Sequence, residues 1–350
     1  MKQFKIVLLI IGTIIGAGFV SGKEISSFFS IFGYYSFIFI LPIFFLLYYF
    51  INKLLLIGIN KKINNVDDLN LIIFKKNNKI IKIFTFISFI ILSSTMISAI
   101  NTSFNIRPYS LLHFATILII IIISCIAIYK DLHFIKNMCT IIVPFILFLM
   151  IIVCLINLNS PSNVLLSNII LLPYNVITYV CRNIFLSYFV VAKSSYGLNK
   201  HQCKQISFAT ALILCLIMTV VIFTELCNIN IINSNMPLLD LSKTSSVLYA
   251  VYLIVLQFAI FTTLISTLLT LKTFFNFKSK LLNAIIPTII CACLSFISFN
   301  YFVVYLYPVI GILGFYLIYY LMSSNLSFQD SNQDIHKASQ KTQNNSRSHN

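Results

Sequence analysis

From Ile6 almost to Met322 the chain is a succession of apolar runs separated by short polar connections, most of them rich in lysine. At about 20 residues per membrane-crossing helix, the runs predict helical spans at 4–31, 34–57, 80–104, 110–129, 137–157, 166–192, 205–228, 246–271, 281–299 and 301–322. Ten spans put both termini on one side of a membrane, and the basic residues test that count, because cytoplasmic loops collect Lys and Arg. With a cytoplasmic N-terminus, every basic residue except Lys23, Arg107, Arg182 and Lys243 falls at a cytoplasmic position, including Lys61, Lys62, Lys75, Lys76, Lys130, Lys278, Lys337, Lys341 and Arg347. The expected organisation is one polytopic domain over 1–322 and a polar, disordered cytoplasmic tail over 323–350, rich in Ser, Gln and Asn. The connection at 58–79 predicts a short surface helix around Val66–Phe74, and the one at 229–245 is long enough for a helical cap.

Composition agrees. With 59% hydrophobic residues, 9% charged residues and a mean hydropathy of +0.97, a water-soluble globule is excluded. The net charge of +16 does not point to nucleic acid, since the basic residues lie in short blocks between apolar runs rather than on one face. Membrane lipid is the expected surrounding, and nothing in the pattern specifies an oligomeric state. The nine cysteines lie almost all inside apolar runs and read as small hydrophobes, with no disulfide framework or metal spacing. Lys2 and Lys5 ahead of an apolar stretch also fit a signal peptide. Against that, apolar character resumes through Phe28 to Phe50.

Inside this pattern the first span is unusual, because it holds Gly12, Gly16, Gly18 and Gly22, four of the nine glycines. Two readings compete: close helix packing through small-xxx-small spacing, or a helix broken where its backbone lines a cavity. The sixth span carries Pro173-Tyr174-Asn175, which predicts a second break, since proline removes a backbone donor. Breaks five spans apart are what a five-plus-five inverted repeat expects. In the eighth span the Ala259 carbonyl and the hydroxyls of Thr262 and Thr263 share a helix face and suit a hard monovalent cation; alternatively, each hydroxyl bonds its own helix. In the third span Ser94, Ser98, Asn101 and Asn105 form a polar stripe, either a path lining or interhelical glue.

The segment Gly12-Thr13-Ile14-Ile15-Gly16-Ala17-Gly18-Phe19 resembles the first helix of amino acid-polyamine-cation (APC) superfamily transporters with the LeuT fold. With Ser21-Gly22-Lys23-Glu24, Tyr174-Asn175 and Phe261-Thr262-Thr263, it is similar to the YkvI-type bacterial membrane proteins within that superfamily. The resemblance implies an all-α membrane fold with broken helices 1 and 6. A bundle of spans 1, 2, 6 and 7 would rock against a scaffold of 3, 4, 8 and 9. It implies a small amino-acid-like solute against Gly16, Ala17, Gly18, Tyr174 and Asn175, with Ser94 and Ser98 on the path. It further implies a sodium site from the carbonyls of Gly12, Ile15 and Ala259 and the hydroxyls of Thr262 and Thr263. Proton-coupled relatives place a lysine on span five; Met138–Ile156 has no charge here, which favours sodium as coupling ion.

Lys23 and Glu24 lie toward the outer mouth and read as a gate or as an adjacent solvated pair. Arg182 reads as an inner gate, an anion contact, a side chain paired with backbone carbonyls or one snorkelling toward inner headgroups, and Glu225 as interfacial. No P-loop, dinucleotide fingerprint or nucleophile-base constellation is present, so the chain does not read as an enzyme and implies no organic cofactor. The expected function is sodium-coupled secondary active transport of an amino-acid-like solute in a bacterial cell membrane. The alternative is a non-transporting ligand sensor or receptor subunit on the same fold.

Overall fold

The computed structural model describes residues 2–59, 63, 65–74, 79–107, 110–129, 131–160, 167–275, 277 and 279–323. The lysines expected at cytoplasmic positions 61, 62, 75, 76, 130, 278, 337 and 341, Arg347, and the tail from 324 onward lie outside these residues. Among the described residues every regular element is helical. In chain order these are α1 (Lys2–Ile14), α2 (Ala17–Val20), α3 (Lys23–Phe28), a 3-10 stretch over Ser30–Phe39, α4 (Ile40–Gly58), α5 (Val66–Phe74), α6 (Lys79–Ser103), α7 (Leu111–Tyr129), α8 (Asp131–Ile156) and α9 (Leu172–Ser194). There follow α10 (Lys200–Cys227), α11 (Pro237–Leu241), α12 (Ser246–Lys272), α13 (Lys280–Leu294), α14 (Phe299–Tyr301) and, after a π-helical turn at Phe302–Leu306, α15 (Tyr307–Ser323).

Seven of these segments are long and apolar enough to cross a membrane: Ser30–Gly58, Ile81–Ser103, Lys136–Ile156, Ile169–Ser194, Lys200–Cys227, Ser246–Lys272 and Phe299–Ser323. Three shorter apolar helices, Gln3–Ile14, Leu111–Ser124 and Leu281–Leu294, fall where the first, fourth and ninth spans are expected. The short helices expected at Val66–Phe74 and within 229–245 are both present, as α5 and α11.

Packing divides the helices into two groups. In one, α4 lies against both α9 and α10; in the other, α6, α7, α12 and α13 pack on one another. Between them runs α1, in contact with α8, α9, α10 and α12 and buried from Ile6 onward. A helix apolar all round belongs in such a central place. The α9–α15 contact is close, because Gly311 and Gly314 face the α9 backbone at Thr178 and Cys181, leaving no room for a side chain. A second tight seam joins α1 to α8, where a methyl group on Gly12 would stand 2.8 Å from Val143 Cγ2 and 2.9 Å from Cys139 Sγ.

The expected second break is absent. Helix α9 runs without interruption from Leu172 to Ser194, and Pro173 occupies its first turn. There a proline costs nothing, because first-turn amides have no helical acceptor and the ring's fixed φ suits helix entry.

Candidate functional site

The first span breaks at Ile15–Gly16. A regular helix would send the Gly16 amide to the Gly12 carbonyl; instead it donates to Ile14 O at 3.0 Å, and Gly16 is extended at φ −101°, ψ −164°. Helical bonding resumes with Val20 N to Gly16 O and Ser21 N to Ala17 O. A turn then reaches α3 through Gly22 at φ +81°, a left-handed conformation that glycine adopts without strain. The break removes the usual partner of the Gly12 carbonyl, and a buried carbonyl needs a replacement.

Helix α12 supplies it. Thr263 Oγ1 stands 3.2 Å from Gly12 O and 3.3 Å from Ile15 O, and Thr262 Oγ1 stands 3.3 Å from Gly12 O and 2.9 Å from Ala259 O. All five residues expected at the cation site are therefore together and buried. Each hydroxyl carries one proton, and beyond the Thr263 amide that Ala259 O takes within α12 these two protons serve all five oxygens, so acceptors are in excess. The oxygens are neutral, which suits a cation of single charge. Their separations approach the roughly 3.3 to 3.7 Å between neighbouring ligands at right angles around a hard cation with bonds of about 2.3 to 2.6 Å. The Thr262–Ala259 bond is also an ordinary i−3 back-bond; Thr263 differs by reaching another helix.

Gly16, Ala17 and Gly18 lie at the break, fully buried. A methyl group on Gly16 would come 3.1 Å from Thr263 Oγ1 and 3.2 Å from Met96 Cε, so the backbone is pressed against α12 and α6. Both readings of the glycine cluster hold: Gly12 packs on α8 and Gly16 opens the helix. The other expected solute contacts are not brought here. Tyr174 is 48% exposed at the start of α9, and Asn175 Nδ2 donates to Phe28 O at 3.4 Å, closing the end of α3. Ser94 Oγ bonds Ile90 O at 2.7 Å within α6, and Ser98 Oγ bonds Ile297 O at 2.7 Å after α13. Farther along that stripe Asn101 accepts from Thr116 Oγ1 at 2.7 Å, so the stripe joins helices.

The charged residues are arranged differently from expectation. Lys23 and Glu24 are not a solvated pair: they are 5% and 2% exposed and serve separate partners, as neighbours about 100° apart on a helix do. Glu24 forms an ion pair with Arg182 of α9, itself 1% exposed. The Arg182 guanidinium also donates to Asn183 Oδ1 at 3.1 Å and lies 4.2 Å from the ring centre of Tyr307. Snorkelling is thereby overturned: Arg182 turns into the bundle because Glu24 is there. Lys23 Nζ donates to Ser234 O at 2.9 Å in the loop before α11. Glu225, expected at the interface, is fully buried and accepts from Ser30 Oγ at 2.6 Å. Its place inside the apolar run of α10 was the available signal, because an acid within a span has a role by default. The outer cap is tied directly to the broken segment by Leu238 N donating to Ser21 O at 2.8 Å.

Two cavities lie away from the break. One of about 620 Å³ is apolar, between α6, α9 and α15, lined by residues such as Phe84, Phe185 and Tyr316. The other, about 130 Å³, is polar and lies between the end of α6, α11 and α12, lined by Ser103, Asn235, Asp240 and Lys243. At its rim Lys243 donates to Asp240 at 2.6 Å, which raises the pKa of its ammonium.

Together these elements define an all-helical, multi-pass integral membrane protein whose first helix opens onto a cluster of oxygens and a buried ion pair. No family model matches the chain, and no curated protein matches it either.

Proposed function

We propose that the protein is a secondary active transporter of a small amino-acid-like solute, coupled to sodium, in a bacterial cell membrane. On this reading it has ten spans arranged as a five-plus-five repeat of the LeuT type in the APC superfamily, with both termini cytoplasmic. The observation that carries the proposal is the oxygen cluster created by the break, with Gly12, Ile15, Ala259, Thr262 and Thr263 joining α1 to α12. Sodium held there neutralises the surplus of lone pairs and ties the two helices together. The helix grouping supports the same reading: α4, α9 and α10 form one body, α6, α7, α12 and α13 another, with the broken helix between them. Alternating access is relative motion of two such bodies around a central site.

One observation favours the second reading, a ligand sensor that does not move its solute. The hydroxyls of Ser94 and Ser98, expected on a polar path, are both bound to carbonyls. Reconstitution into vesicles separates the two. An inward sodium gradient is expected to drive accumulation of an amino acid such as L-alanine or L-leucine. Equal accumulation under a proton gradient in sodium-free buffer removes sodium coupling, and binding without accumulation selects the sensor.

A further inference from the structure

The guanidinium of Arg182 is held by the protein's own carboxylate at the place where a solute is expected. Glu24 reaches back from α3 so far that a methyl group on Gly18, at the break, would stand 2.9 Å from Glu24 Oε2 and 3.2 Å from Glu24 Cβ. The carboxylate thus fills the space directly beside the opened backbone. Around it, donors are left over. Among the described residues neither Arg182 Nε nor Tyr307 Oη has a partner within hydrogen-bond geometry, although both are buried. Tyr307 is set against the guanidinium by the π-helical turn at Phe302–Leu306, a local irregularity of the kind that functional sites favour. Buried donors without acceptors are costly, and here two of them flank a charge that already recognises a carboxylate.

We propose that Arg182 is the receptor for the carboxylate of the solute, and that Glu24 is a resident competitor occupying it until the solute arrives. The inference rests on the reading above in that a solute must bind at the break. It puts recognition of the carboxylate on a side chain of α9, beside the backbone of Gly16, Ala17 and Gly18 against which the resemblance sets the solute. It also gives the site a threshold: the solute must displace Glu24, and α2 and α3 turn together about Gly16 as the carboxylate leaves. A guanidinium fork gripped through two N–H groups discriminates acids from their amides, because an amide brings donors where the fork needs acceptors.

The test uses the full chain in lipid nanodiscs, read by thermal unfolding against L-alanine, L-leucine and propionate, each beside its amide. Glu24→Gln removes the competitor, and the acids are expected to stabilise it at concentrations at least about tenfold below those needed for the native protein, since the binding-competent fraction rises. The amides are expected to have no effect. The double variant Glu24→Gln with Arg182→Gln, which leaves neither member of the pair charged, is expected to fold and to ignore the acids. Should Glu24→Gln fail to fold, Glu24→Asp, shorter by one methylene, is expected to shift acid binding in the same direction. Equal response of the native and Glu24→Gln proteins, acid binding retained in the double variant, or no response to any acid overturns the inference. Uptake of an amide or an amine by the double variant at the native rate also overturns it, while leaving the transporter reading intact. Acid binding in the expected order without uptake keeps the inference and selects the sensor.

Discussion

Two buried clusters hang on the same broken helix and are built on opposite principles. At Gly12–Ile15 the groups are neutral, backbone carbonyls and hydroxyls; at Glu24–Arg182 they are full charges. The neutral cluster follows from the break itself, which frees carbonyls that a facing helix must satisfy. The charged cluster is added to the fold, and burying charge is expensive unless every member is paired. The difference separates what the backbone generates unaided from what side chains were placed to do.

The largest effect is expected from Arg182→Ala, which strands the Glu24 carboxylate: destabilisation of about 3 to 5 kcal/mol, read as loss of thermal stability in nanodiscs. The neutral double variant Glu24→Gln with Arg182→Gln should recover most of that. If both variants lose equally, packing rather than charge holds this region. Gly12→Ala is next, at about 1 to 3 kcal/mol from overpacking. Adding Cys139→Ala and Val143→Ala should offset part of it, measurable by the same unfolding curves. If the triple variant is no better than the single, the contact with α8 is not the cause. Thr262→Val with Thr263→Val preserves shape while removing both hydroxyl donors from the Gly12 and Ile15 carbonyls, costing about 1 to 3 kcal/mol per carbonyl left unsatisfied. It should also abolish any difference in stability between sodium and potassium buffers; a surviving difference places the cation elsewhere. The smallest effect is expected from Asp240→Asn, at the exposed Asp240–Lys243 pair. A change within about 0.5 kcal/mol would set the scale against which the buried pair is measured.

The same contrast governs what the sequence discloses. Apolar runs mark helix positions because burial in lipid demands them, and the segments fall where the runs predict. The break at Gly16 is legible because glycine spacing is local, and the Thr262–Thr263 face because helical periodicity is local too. Pro173 misleads because a proline that opens a helix and a proline that interrupts one look alike until the preceding backbone is placed. Glu24 and Arg182 lie far apart in the chain, and each alone is compatible with solvent, headgroup or partner. Only tertiary packing brings them together. Ser94 and Ser98 fail for a related reason, since the facing of a hydroxyl depends on which carbonyl is nearest.

The Leu238 amide on Ser21 O and the Lys23 ammonium on Ser234 O have a mechanical consequence. They rivet the outer loop to the short helices beyond the break, so the loop and α2–α3 travel as one lever with its fulcrum at Gly16. A turn of that lever too small to see at the fulcrum is magnified at its tip. Asn235, exposed beside Ser234, is therefore where a spectroscopic label would register the earliest movement of the core.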